Sequence, residues 1–244
     1  METGINCAHC KQEVNGRYCP NCGDTVIVKR VDAHYVIHEI QHFLHFEKGI
    51  PYTIKELILR PGKSVREFVR VNRNRLVKPI LFLIVTSLIY TWMTHLFHAE
   101  VVETPEMIRI RETALGAIFD WVQSHYGYAN ILMGLSIALW LKLFFGKYDY
   151  NFFEILILLC FLIGVGMLIF SVFFMAGALL HVDLSNVSVI FGIGYCVWGI
   201  GQFFDAKKAV NYLMALIAYL LGMIIFWIVA VAVGITIDLI NHAV

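Results

Sequence analysis

Charge is what this chain has least of. Asp, Glu, Lys and Arg make up 15% of its 244 residues against 59% hydrophobic residues, and the mean hydropathy is +0.71. That balance describes a polytopic membrane protein and excludes an ordinary soluble domain. Ionisable groups are nearly missing from the apolar stretches, with His95 close to the end of one and Asp238 near the end of the last. Ion-coupled pumps carry such groups inside the membrane, so their scarcity argues against a coupled pump. Also lacking are a phosphate loop, a nucleophile elbow and a His-x-x-Glu pair. Without them no residue set for an enzyme is visible, and no enzymatic activity is expected. No cleavable signal peptide precedes the first cysteines, which argues against a disulfide-bonded amino-terminal end.

What is present is chemically explicit at one place. The chain reads Cys7-Ala-His-Cys10, then eight residues, then Cys19-Pro-Asn-Cys22-Gly23. Two Cys-x-x-Cys knuckles place four thiolates around one tetrahedral Zn2+, and Gly23 supplies the backbone freedom a knuckle exit needs. Four cysteines close the site, so His9 is not required and no coordination position stays open for catalysis. A structural zinc ribbon is expected over residues 1–30, on the cytoplasmic side. Cys160 and Cys196 fall in apolar segments and read as small packing residues.

The charge that exists is unevenly placed. Lys48 to Lys78 holds nine Lys or Arg against Glu56 and Glu67, a local +7 in a chain of net +1. Residues 31–78 are read as cytoplasmic or interfacial helices. Val36, Ile40, Phe43 and Leu44 predict a helix over 33–48, broken by Gly49-Ile-Pro51. Thr53 to Glu56 and Ser64 to Glu67 read as capping boxes opening two more helices, with Arg60-Pro61-Gly62 between them. The second has Val65, Phe68, Val69 and Leu76 on one side and Arg66, Arg70 and Arg73 on the other. It is expected to lie along the membrane surface. Arg60, Lys63, Arg66, Arg70, Arg73, Arg75 and Lys78 are the candidate anion-binding residues. Anionic lipid alone accounts for such a run, at about 1 kcal/mol per basic residue. The arginine bias also suits bidentate contact with phosphates of a nucleotide or oligonucleotide. No stacking platform or base-reading motif is evident, so nucleic acid would be held by its backbone. His34, His38, His42 and His45 form a stripe that reads either as a polar helix face or as a pH- or metal-sensitive one.

From Pro79 onward the fold class is an all-α membrane domain, residues 79–244. About five transmembrane helices are expected, near 79–97, 128–145, 155–180, 187–204 and 209–237. A four-span arrangement is the alternative, with 187–204 re-entrant or fused to the last span. Basic residues set the orientation. The +7 segment, Lys142, Lys147 and Lys207-Lys208 fall on one side, and the loop 98–127 carries −3 on the other. The amino end is thus expected in the cytoplasm of a bacterial inner membrane. Gly164, Gly166, Gly177, Gly192, Gly194, Gly199 and Gly201 favour close helix packing, or else line a pore of small residues.

The cysteine pairs, the Leu57-x-x-Arg60-Pro61-Gly62 step and the basic stretch Arg73, Asn74, Arg75, Lys78, Pro79 resemble an uncharacterised bacterial family of zinc-ribbon membrane proteins. The likeness covers about residues 5–95 and implies architecture. In that family the basic stretch commonly reads Gly-Lys-Arg, where this chain has Val71-Asn72-Arg73-Asn74-Arg75. More weakly, the layout is similar to membrane effectors of bacterial anti-phage systems paired with nucleotidyltransferases. That resemblance implies a homo-oligomeric ion channel gated by an anionic cytoplasmic ligand such as an oligonucleotide. The alternative is a non-channel scaffold or transport accessory. In it the ribbon binds a protein partner and the basic run holds anionic lipid.

Overall fold

A computed structural model describes residues 5–7, 10–14, 18–22, 49–73, 75–97 and 113–243. The chain divides into two compact units, 1–45 and 46–244. The helix expected over 33–48 with its histidine stripe, His9 and Gly23 lie outside the described residues.

In the first unit β1 (Ile5–Asn6) pairs antiparallel with β2 (Glu13–Val14), Ile5 opposite Val14 and Asn6 opposite Glu13. Strands of two residues have no stability of their own. The turn between them is tight: Cys7 N–H donates to the Gln12 carbonyl and Lys11 N–H to the Cys7 carbonyl, both at 2.9 Å. Lys11 sits at φ 62°, the left-handed conformation that lets the chain turn back on the cysteine.

The second unit is helical. α1 (Gly49–Leu59) and α2 (Pro61–Arg70) precede α3 (Pro79–Leu96), α4 (Ala114–Ser124), α5 (Tyr126–Phe144), α6 (Phe152–Leu180), α7 (Ser185–Asp205) and α8 (Ala209–Ala243). Five of these, α3 and α5 to α8, are long and apolar enough to cross a membrane. α7 is a continuous helix separated from α8 by a turn at 206–208, so the last two expected spans are not fused. α4 was not anticipated from the sequence. It breaks the stretch expected as a loop, with Thr113 Oγ1 accepting from Gly116 N–H at its start. α6 begins earlier than its apolar run because Asn151 and Glu154 form a reciprocal capping box, at 2.9 and 2.8 Å.

The two capping boxes read before the membrane are absent. α1 already starts at Gly49, with Pro51 tolerated in its first turn, and Thr53 Oγ1 donates back to the Gly49 carbonyl. α2 starts at Pro61, a first-turn proline, which puts Ser64 inside the helix. The Arg60 break between the two helices is where the sequence put it.

α6 is the axis of the bundle. It packs against α3, α5 and α7 and also against α1 and α2. Two-thirds (67%) of its most apolar window is buried, against 17% for α8. Phe161 on α6 touches Phe68 of α2 (ring centroids 5.3 Å) and Phe82 of α3 (5.8 Å). In lipid no solvent drives helices together, so close packing must do so. Glycine allows it: a Cβ on Gly199 would lie 2.4 Å from Leu162, on Gly201 2.4 Å from Tyr212, and on Gly164 2.8 Å from Phe82. Gly166 and Gly194 meet nothing within 4 Å and play no such part.

One end of the bundle is marked by an aromatic floor. Phe145 stacks on Phe204 at 4.0 Å, Tyr150 lies 4.4 Å from Phe203, and Asn211 Nδ2 donates to Tyr148 Oη at 2.8 Å. This joins the 145–151 turn to the end of α7 and the start of α8. α2 packs at that same end: a Cβ on Gly62 would sit 2.4 Å from Gln202 Cβ and Phe203 N. Val65, Phe68 and Val69, expected to face lipid, are buried against the spans instead. The helix forms a collar on the bundle because its apolar face meets protein.

Candidate metal centre and basic collar

Cys7, Cys10, Cys19 and Cys22 come together, their sulfurs all within 4.8 Å of one another. Cys7 and Cys22 Sγ are 3.6 Å apart, and Cys10 and Cys19 Sγ 3.4 Å. A disulfide needs about 2.05 Å, so the thiols are free. Four thiolates at about 2.3 Å from a tetrahedral Zn2+ stand about 3.8 Å from one another, so the donor set fits such an ion. The first knuckle brings its sulfurs in through the β1–β2 turn. A backbone hydrogen bond at Gln12, then Cys19, lowers the Cys10 thiol to about 6, toward the thiolate a metal requires. The cluster can hold a metal ion by four protein ligands and leaves none of its positions to a substrate.

The seven basic residues fall into three groups. Arg60 and Arg75 converge on Glu56, a buried carboxylate: Arg60 Nη2 donates to both of its oxygens at 2.7 and 2.9 Å, and Arg75 Nη2 to Oε2 at 2.8 Å. Ser64 Oγ adds a bond to Oε2 at 3.2 Å, and Arg75 also pairs with Glu67 and with Tyr52 Oη. Burial pushes Glu56 up, but the bonds and charges of Arg60, Arg75 and Ser64 outweigh it, so its carboxyl sits below the ordinary glutamate value. Val77 N–H donates to Thr53 Oγ1 at 3.1 Å, fixing the approach to α3. The cluster is a clamp that ties α1, α2 and the entry to the first span.

Arg66 and Arg70, one turn apart, latch α2 to the bundle. Arg66 donates to the Gln202 carbonyl in the last turn of α7. Its charge also complements the negative end of that helix. Arg70 donates to the Asp149 carbonyl at 3.2 Å and lies 4.3 Å over the Tyr150 ring. Lys63 reaches Glu67 only at 3.9 Å, with its side chain mostly in solvent. Arg73 and Lys78 are exposed, and their side chains have no ion pair or hydrogen bond among the described residues. Of the seven, Lys63, Arg73 and Lys78 therefore present charge that takes little or no part in contacts among the described residues.

Sequence reasoning missed Glu56 and Glu67 as the partners that organise the arginines. Their spacing was legible, since Glu56 and Arg60 stand four apart on a helix. The Arg75 partner and the Gln202 carbonyl, 136 residues from Arg66, carried no local signal.

Fold and site together define a five-span α-helical membrane protein with an amino-terminal four-cysteine cluster able to bind a metal. Among known families, one described as a protein of unknown function (DUF3667) matches residues 47–91. That stretch comprises α1, α2 and most of α3, with the Glu56 clamp and the Arg66–Arg70 latch inside it. No curated protein and no solved structure matches the chain.

Proposed function

We propose that the protein is a membrane-embedded scaffold in a bacterial inner membrane. In this reading its four-cysteine module holds Zn2+ and docks a protein partner, and its collar faces the cytoplasm. The observation that carries it is the use of the basic run: Arg60, Arg66, Arg70 and Arg75 are spent on Glu56, Glu67 and the carbonyls of Gln202 and Asp149. Charges held in that way secure the collar and are not free to gate a pore. The filled axis of the bundle adds support, because α6 buries Phe161, Leu162 and Ile163 where a single-chain pore would run. Lys63, Arg73 and Lys78 remain to contact anionic lipid headgroups. The excess of basic residues at the collar end supports the cytoplasmic assignment.

The second reading, a homo-oligomeric anti-phage channel gated by an oligonucleotide, draws on those same three exposed cations. It requires a ring of subunits to supply the pore. One experiment separates the two. Purified full-length protein in liposomes, challenged with short DNA and RNA, is expected to stay impermeable to K+ and Cl−. Ligand-dependent flux, lost in R73A/K78A, overturns the scaffold and establishes the channel.

A further inference from the structure

Two buried polar groups on α3 and α5 lack partners, and the collar does not use them. Ser87 and Asn130 are 3% and 4% exposed, and Ser87 Oγ and Asn130 Nδ2 are buried with no hydrogen-bond partner. Ser87 stands near the middle of α3, about 12 Å from either end at 1.5 Å per residue, so it sits at mid-membrane depth. The two helices cross closely here: a Cβ on Gly127 would lie 3.8 Å from Ser87 Cβ and 4.0 Å from its Oγ. Asn130 is one turn further along the same face of α5. Tyr90 meets Tyr126 edge-on at 4.8 Å, so the helices run antiparallel.

From Ser87 toward the end of α3 away from the collar, one stripe of the helix is polar: Tyr90, Thr91, Thr94 and His95. Exposure grows along it, from buried Ser87 through half-buried Tyr90, Thr91 and Thr94 to exposed His95. In the other direction the path closes. Phe82 and Leu83 are 0% and 1% exposed, and Phe82 packs on Phe161. A turn past Asn130, Gly134 meets only Ile163 and Leu156 side chains.

We propose that the outer halves of α3 and α5 enclose a polar cleft, open at the membrane face away from the collar and ending at Ser87 and Asn130, in which water is bound. An amide donor and a hydroxyl without partners in an apolar interior call for a third hydrogen-bonding group. Water is small enough to enter such a site and able both to donate to the hydroxyl and to accept from the amide. A charged ligand is disfavoured by the chemistry: neither α3 nor residues 126–141 of α5 carries an Asp, Glu, Lys or Arg. The cleft is half a passage, sealed at Phe82.

The test uses full-length protein in oriented proteoliposomes with a water-borne, membrane-impermeant methanethiosulfonate, the parent chain giving the background of its own cysteines. Ser87→Cys is expected to label about tenfold or more faster than Leu83→Cys, since the reagent needs a hydrated thiolate, and only from the side opposite the collar. Equal rates, or labelling only from the collar side, overturn the proposal. Asn130→Leu is an independent arm read in thermal melting. With water bound, losing its partner lowers the melting temperature. In a dry site, exchanging an unpaired amide for an apolar side chain raises it, and that outcome also overturns the cleft.

Discussion

Among the described residues of the amino-terminal unit the buried apolar side chains are Cys7, Val14 and Cys19, with Cys10 and Cys22 against them. In the helical unit a continuous apolar core runs from Leu57 to Tyr219. The first is held by what four sulfurs can bind, the second by how closely helices approach. A knuckle with two-residue strands has too little apolar area to fold by burial, and a metal held by the four sulfurs would supply what is missing. The bundle depends on glycines at crossings where a methyl group does not fit. One unit should therefore respond to chelation and the other to added volume at its helix crossings.

Metal removal should break this comparison most sharply. Structural Zn2+ contributes about 10–16 kcal/mol of apparent binding energy in small four-ligand domains. Chelation, or Cys7→Ser with Cys22→Ser, should open residues 5–22 to proteolysis while the melting temperature of the bundle stays unchanged. Equal loss in both units would show that they fold as one.

Volume should have the opposite effect. Gly62→Leu places side-chain atoms against Gln202 and the Phe203 backbone and should cost about 3 kcal/mol, releasing the collar. Gly194→Ala, facing open space, should change stability by less than about 0.5 kcal/mol. Thermal melts in detergent compare the two directly.

Charge comes next. Glu56→Gln leaves Arg75 and Arg60 short of a partner and should cost about 2–3 kcal/mol. Because folding lowers the Glu56 pKa, its contribution is complete above the unfolded value of about 4.3 and is lost as pH falls through the folded one. Hydrogen exchange at residues 56–75 should therefore accelerate below about pH 4 in the parent chain and lose that dependence in the variant. Arg66→Met should cost about 1 kcal/mol, the worth of one charge-assisted bond at a helix end.

The smallest effect on stability belongs to Arg73→Ala with Lys78→Ala, within about 0.5 kcal/mol. Those two charges should matter elsewhere, weakening association with phosphatidylglycerol vesicles by roughly tenfold. Unchanged association would remove lipid from the proposed role of the collar.

The sequence by itself determined what depends on neighbours along the chain. Two knuckles of fixed spacing brought four sulfurs together, and apolar runs of about 20 residues set five spans. A helical stripe marked Val65, Phe68 and Val69 as a buried face. What lay under that face was not legible, because a stripe reads the same against lipid or protein. Only the tertiary structure put α6 at the axis and set Phe161 beneath Phe68. It also spent four arginines on partners up to 136 residues away and buried Ser87 Oγ and Asn130 Nδ2 without a hydrogen-bond partner. Hydrogen-bond partners and helix crossings are properties of pairs of elements, and local periodicity carries no information about which pairs will meet.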